Sequence, residues 1–260
     1  MHGTDALALL LLIIIPGIIL VMLMNLVSGC VQTLIIRILG VRGYLIAFGW
    51  IGTLVHELSH ALMCVAFCHK IKNIKWFSIA PRGGTLGQVS HTYDKGSFYQ
   101  RFGCVFISIA PLLGGSLILF AAAHFFMPEL LVPVNFSNST VDLIAQAFIF
   151  TPIRMGYILF SPGQFLNLSF YLMLYILITI GSSQHMSRAD LGNFFSTLPI
   201  ILPSIFATGF LLSIADALLK SDLWQSAILA IFNVYALLSM AMMASLFTVV
   251  LVSLVSILRR

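Results

Sequence analysis

Two histidines four residues apart flank a glutamate in the run Gly52-Thr53-Leu54-Val55-His56-Glu57-Leu58-Ser59-His60-Ala61. On a helix, residues at that spacing differ by about 40° in direction and about 6 Å along the axis, so His56 and His60 project from one face and can share an ion. Glu57, one position on, stands beside the pair. A hydrolytic zinc site needs this arrangement: two imidazoles hold the ion, the ion brings the pKa of a water toward neutrality, and a carboxylate takes the proton. The expectation is Zn2+ on His56 and His60 with Glu57 as the catalytic base. The bland alternative is a buried polar cluster with a structural role.

A hydrolytic ion takes a third protein ligand and keeps a fourth position open. The chain has eight acidic residues, so the search is short. Asp5 is terminal, Asp94 and Glu129 fall in loops, Asp142 opens an amphipathic stretch, Asp216 has Lys220 four residues on, and Asp222 sits at a helix start. Asp190 is the first choice, with His185 and His91 next. A competing role for Asp190 is to cap the helix that follows. Cys64 and Cys68 continue the His56–His60 stripe, but His56 and Cys68 are about 18 Å apart along a helix, too far for one ion, and packing is their expected role.

The elements that position these residues are set by composition. Of the 260 residues 60% are apolar and 8% charged, and the mean hydropathy is +1.07, values that suit lipid as the solvent. Crossing the hydrocarbon core takes about 20 apolar residues. Six stretches approach that length: 6–27, 43–67, 102–126, 164–181, 194–219 and 224–258. The first is expected to be a retained spanning helix, because the residues before it carry no Lys or Arg. The fifth contains Pro199 and Pro203 and is expected to be broken or partly interfacial. After the second helix, Gly83, Gly84 and Gly87 and the spacing of Leu86, Val89 and Tyr93 predict an extended or hairpin-like element. The fold class is therefore an all-α polytopic membrane protein of about six spanning helices with a short membrane-associated β-hairpin or extended loop, forming one domain over 1–260.

With six spans, nine of the 13 basic residues lie on one side, including Lys70, Lys72, Lys75 and both terminal arginines. The positive-inside rule puts both termini there, in the cytoplasm, with a bacterial inner membrane as the expected location. The opposite loop holds Asn135-Phe136-Ser137 and Asn138-Ser139-Thr140, which match the glycosylation acceptor pattern. The bases form no tract with interleaved aromatics, so nucleic acid is not an expected partner. The four cysteines lie in or beside apolar segments and imply no disulfide framework.

Three stretches together resemble the site-2 protease family of intramembrane zinc metalloproteases. The first is the spanning run Gly52 to Ala61. The second is Gly83-Gly84 and the run to His91, similar to the glycine-containing membrane hairpin that follows the family's motif helix. The third is Gln100-Arg101 through Ile109-Ala110-Pro111-Leu112-Leu113-Gly114-Gly115, similar to the family's Arg before an Ala-Gly-Pro helix. The resemblance implies zinc ligation by His56 and His60 and catalysis by Glu57. The family's third ligand is an Asp followed by Gly; Ser187-Arg188-Ala189-Asp190-Leu191-Gly192-Asn193 is the nearest match, with Gly one position late and no prolines before it. The implied activity is hydrolysis of a peptide bond in or near the transmembrane segment of a membrane protein substrate, within the bilayer. The alternative is a catalytically silent relative that binds or regulates other membrane proteins.

Overall fold

The computed structural model describes residues 3–78, 86–131, 140–219 and 223–258. The chain is mostly helical: α1 Gly3–Tyr44, α2 Trp50–Ala66, α3 Phe98–Phe126, α4 Thr140–Ala145, α5 Thr151–Leu159, α6 Leu168–Gly181, α7 Arg188–Leu219 and α8 Leu223–Leu258. Between α2 and α3 lie two short strands, β1 Lys70–Lys75 and β2 Gln88–Thr92, paired antiparallel. The expected extended element is thus a two-stranded sheet whose second strand falls inside the expected stretch. Gly83, Gly84, Asn135-Phe136-Ser137 and Asn138-Ser139 lie outside the described residues, and Thr140 opens α4.

Among the described residues, three helical stretches are long and apolar enough to cross a membrane: Ile15–Ala66, Phe98–Phe126 and Ile228–Leu254; Leu168–Gly181 is apolar but shorter. The first is broken inside. Gly40 adopts φ 71° and ψ 167°, a left-handed φ that costs a side-chain-bearing residue dearly, and the chain turns there. Val31 and Ile35 before the turn then pack on Tyr44 and Leu45 after it. A π-helical turn, Leu45–Gly49, leads into α2. The expected break in the fifth stretch is absent: α7 runs through Pro199 and Pro203 as one helix.

The main core joins α1, α3, α6 and α8 through Leu20, Met24, Leu112, Leu119, Met173, Leu177 and Ala241. Apolar side chains also cover the outside. On α2, Leu58, Leu62 and Val65 are exposed while Glu57, Ser59, His60 and Cys64 are buried. Polar groups turned inward beneath an apolar exterior are the pattern that hydrocarbon solvent selects.

Glycines set how closely the helices approach. A Cβ at Gly52 would stand 2.7 Å from the Thr179 carbonyl oxygen and from Ser183 Cβ, fixing α2 against the end of α6. A Cβ at Gly114 would stand 2.0 Å from Ser59 Oγ, so α3 presses on the motif helix at that point. Gly115 does the same for Gln184, where a Cβ would come within 2.6 Å of Nε2.

Candidate metal centre

His56 and His60 lie on the inward side of α2, their rings 4.9 Å apart between centroids. Each ring is held by one nitrogen. His56 Nδ1 donates to the Ser183 carbonyl at 3.0 Å, and His60 Nδ1 donates to the Ile107 carbonyl at 2.8 Å. A carbonyl can only accept, so each ring carries a proton on Nδ1, and in its neutral form it presents the Nε2 lone pair. Metal-ligating histidines are oriented in this way by their outer partners.

The Ile107 acceptor exists because of Pro111. In α3 the Ile107 oxygen would ordinarily bond the N–H four residues on, but proline has none. The chain's resources for fixing His60 are therefore on another helix and depend on one imino acid.

Asp190 stands in the first turn of α7 and reaches the same place. The ligand atoms of His56, His60 and Asp190 all lie within 4.8 Å of one another, and His60 Nε2 is 3.6 Å from Asp190 Oδ2. The competing capping role takes a different form from the one expected. Ser187 is the capping residue: its hydroxyl accepts from the Asp190 N–H at 3.1 Å, while Asp190 Oδ2 accepts from the Ser187 N–H at 2.9 Å and from its hydroxyl at 2.6 Å. This reciprocal pair is a capping box with Asp in the third helical position. It holds the carboxylate toward the histidines.

Glu57 is 6% exposed, and Gly87, just ahead of β2, lies directly on it. A Cβ at Gly87 would be 2.6 Å from Glu57 Cγ and 2.8 Å from Thr53 Cγ2. A cavity of about 530 Å³ opens here, lined by Thr53, His56, Glu57, Gly87, His185 and Ser187 among others. It is large enough to admit water and a short length of extended chain. A second cavity of about 450 Å³, bounded by Phe120, Leu131, Asn233 and Met240, is apolar and lies away from these residues.

The two reserve candidates for the third ligand sit elsewhere. His185 lines the cavity with its ring 6.2 Å from that of His56, outside the cluster of ligand atoms. His91 is in β2 with its Nδ1 3.0 Å from His69 Nδ1. Burial and then the neighbouring His69 hold its pKa below the ordinary imidazole value. Sequence reasoning passed over His69, Ser187 as a cap, and Ser183 and Ile107 as acceptors. Only the capping spacing Ser187-x-x-Asp190 carried a local signal.

The donor set suits zinc: two imidazoles and a carboxylate converge, both rings are locked through their Nδ1 atoms, and Glu57 lines a cavity together with His56. No protein-family model, curated protein or solved structure matches the chain.

Proposed function

We propose that the protein is an intramembrane zinc metalloprotease of the site-2 protease type, cleaving a peptide bond in or near the transmembrane segment of a membrane protein. The observation that carries this reading is the convergence of His56, His60 and Asp190, with His56 and Glu57 lining a cavity beneath an apolar exterior. Zinc held by the three side chains would supply Lewis acidity to a peptide carbonyl and to water. Glu57 takes a proton from the attacking water and delivers it to the amide nitrogen as the C–N bond breaks. Its burial beneath Gly87 keeps it from bulk solvent and confines the proton to that path.

A helical peptide bond hides its carbonyl, so the substrate must unwind. β2 pairs with β1 along one edge and leads from Gly87, at Glu57, so an unwound segment can add as a further strand and bring its carbonyl to the cavity. The reading includes six spans, with both termini and the β1–β2 sheet on the basic, cytoplasmic side of what we take to be a bacterial inner membrane.

The approach of Asp190 to both histidines supports the catalytic reading over the silent relative. The test is cleavage of a membrane-anchored substrate by the purified protein. Glu57→Gln is expected to keep the zinc content of the wild type and to lose cleavage. Cleavage at the wild-type rate in Glu57→Gln would overturn the assignment, and a folded wild type that binds no supplied zinc would favour the silent relative.

A further inference from the structure

A second group of ligand-bearing side chains gathers one helical turn beyond His60. Cys64 is fully buried on the inward side of α2, His69 is 5% exposed just after that helix, and His91 comes from β2. Their ligand atoms, one from each residue, all lie within 4.8 Å of one another. Around a zinc-sized ion with bonds of about 2.0–2.3 Å, tetrahedral donors stand roughly 3.3–3.8 Å apart, so the spacing needs only small adjustment.

Local structure aims these donors deliberately. Cys68 adopts φ 57°, a left-handed conformation that glycine usually takes at the end of a helix. The turn lets the His69 N–H bond the Cys64 carbonyl at 2.8 Å and folds His69 back over Cys64. The His69 ring is then fixed twice. Nε2 donates to the Gln100 carbonyl at 2.8 Å, and Tyr93 stacks on its face with centroids 5.0 Å apart. With Nε2 as the donor, a neutral His69 keeps its lone pair on Nδ1, and that atom is the one facing His91.

We propose that Cys64, His69 and His91 form a second metal site, distinct from the His56–His60–Asp190 centre, that takes a divalent ion of the zinc type and pins β2 to the end of α2. A thiolate with two imidazoles is a donor set that zinc and cobalt favour. Three protein donors leave one position for water. The ion joins α2 to β2, and β2 follows directly from Gly87 on Glu57, so its occupancy sets the strand's position over the first centre. The site stands whether or not the chain cleaves peptides.

The experiment is cobalt titration of the detergent-purified, chelator-stripped full chain, followed by absorption. The first centre has no sulfur, so a near-ultraviolet thiolate-to-cobalt charge-transfer band reports the second site alone. The expected result is a band that saturates within two equivalents in the wild type and at one in His56→Ala, disappears in Cys64→Ser and needs at least about tenfold more cobalt in His91→Gln. A wild type without this band, or a band of undiminished strength in Cys64→Ser, overturns the proposal. Loss of zinc from His56→Ala with the band intact separates failure of the first centre from failure of the second.

Discussion

His60 donates to the Ile107 carbonyl across two helices because Pro111 withholds the N–H that would otherwise take that oxygen. A residue that reads as a helix irregularity thereby becomes part of how a ligand is oriented. Pro111→Ala is expected to close the helical hydrogen bond to Ile107, leave His60 Nδ1 without its acceptor, and weaken zinc binding about 10–100-fold. The helix itself gains from the exchange, since proline is the poorest interior residue. Zinc affinity falling while the thermal midpoint holds or rises is the signature; unchanged affinity would show that His60 is oriented by something else.

Ser187→Ala separates capping from ligation. Loss of a capping side chain costs about 1 kcal/mol. The same change removes the hydroxyl that bonds Asp190 Oδ2 at 2.6 Å. Zinc affinity at the His56–His60–Asp190 centre is expected to drop about tenfold or more, whereas Asp190→Ala should abolish zinc there and leave only the ion of the Cys64–His69–His91 site. Equal affinity in Ser187→Ala and wild type, measured by competition with a chromogenic chelator, would count against the capping box as the device that aims Asp190.

Gly87 needs its missing side chain for proximity. A Cβ there would come within 2.6 Å of Glu57 Cγ, so Gly87→Ala must shift either the carboxylate or the strand. Displacement of a reacting group by about 1 Å can cost about 100-fold in rate. The expected result is a fall in cleavage of that order with zinc content unchanged, because the atoms nearest a Cβ there belong to Glu57 and Thr53. Loss of zinc along with activity would indicate a wider collapse of the site.

What was legible in the sequence follows from how local each signal is. His56, Glu57 and His60 are set by helical periodicity alone, and one segment suffices to read them. Asp190 lies far along the chain and was reachable only by elimination and by resemblance. The pairing of His69 with His91 was not legible, since it depends on the left-handed turn at Cys68 and on strand register. β1 was missed for a similar reason. Ile71 and Ile74 are an odd number of residues apart and spoil strand alternation, and the register irregularity between Ile71 and Asn73 restores both to the less exposed side. The prolines of α7 misled because tertiary packing carried the helix through them.

The proposed six-span arrangement predicts that the loop between its third and fourth spans faces away from the carboxyl terminus. A compartment-sensitive reporter inserted after Asn135 should therefore give the opposite signal to one fused after Arg260. Matching signals would require an odd number of crossings to be removed from the second half of the chain. The β1–β2 sheet, with Lys70, Lys72 and Lys75, should report the same side as the terminus.

Hydrolysis needs water at Glu57, and the cavity wall offers a place to detect it. Thr53 is 8% exposed yet lines the cavity one turn before Glu57. In a background with the exposed Cys30 and Cys68 changed to serine, Thr53→Cys should react with a small membrane-impermeant thiol reagent supplied from the cytoplasmic side. Cys64 and Cys104 are buried and serve as internal controls, expected to react far more slowly. A Thr53→Cys protein as unreactive as those controls would mean a dry cavity, and an enzyme that hydrolyses peptides could not be built around it.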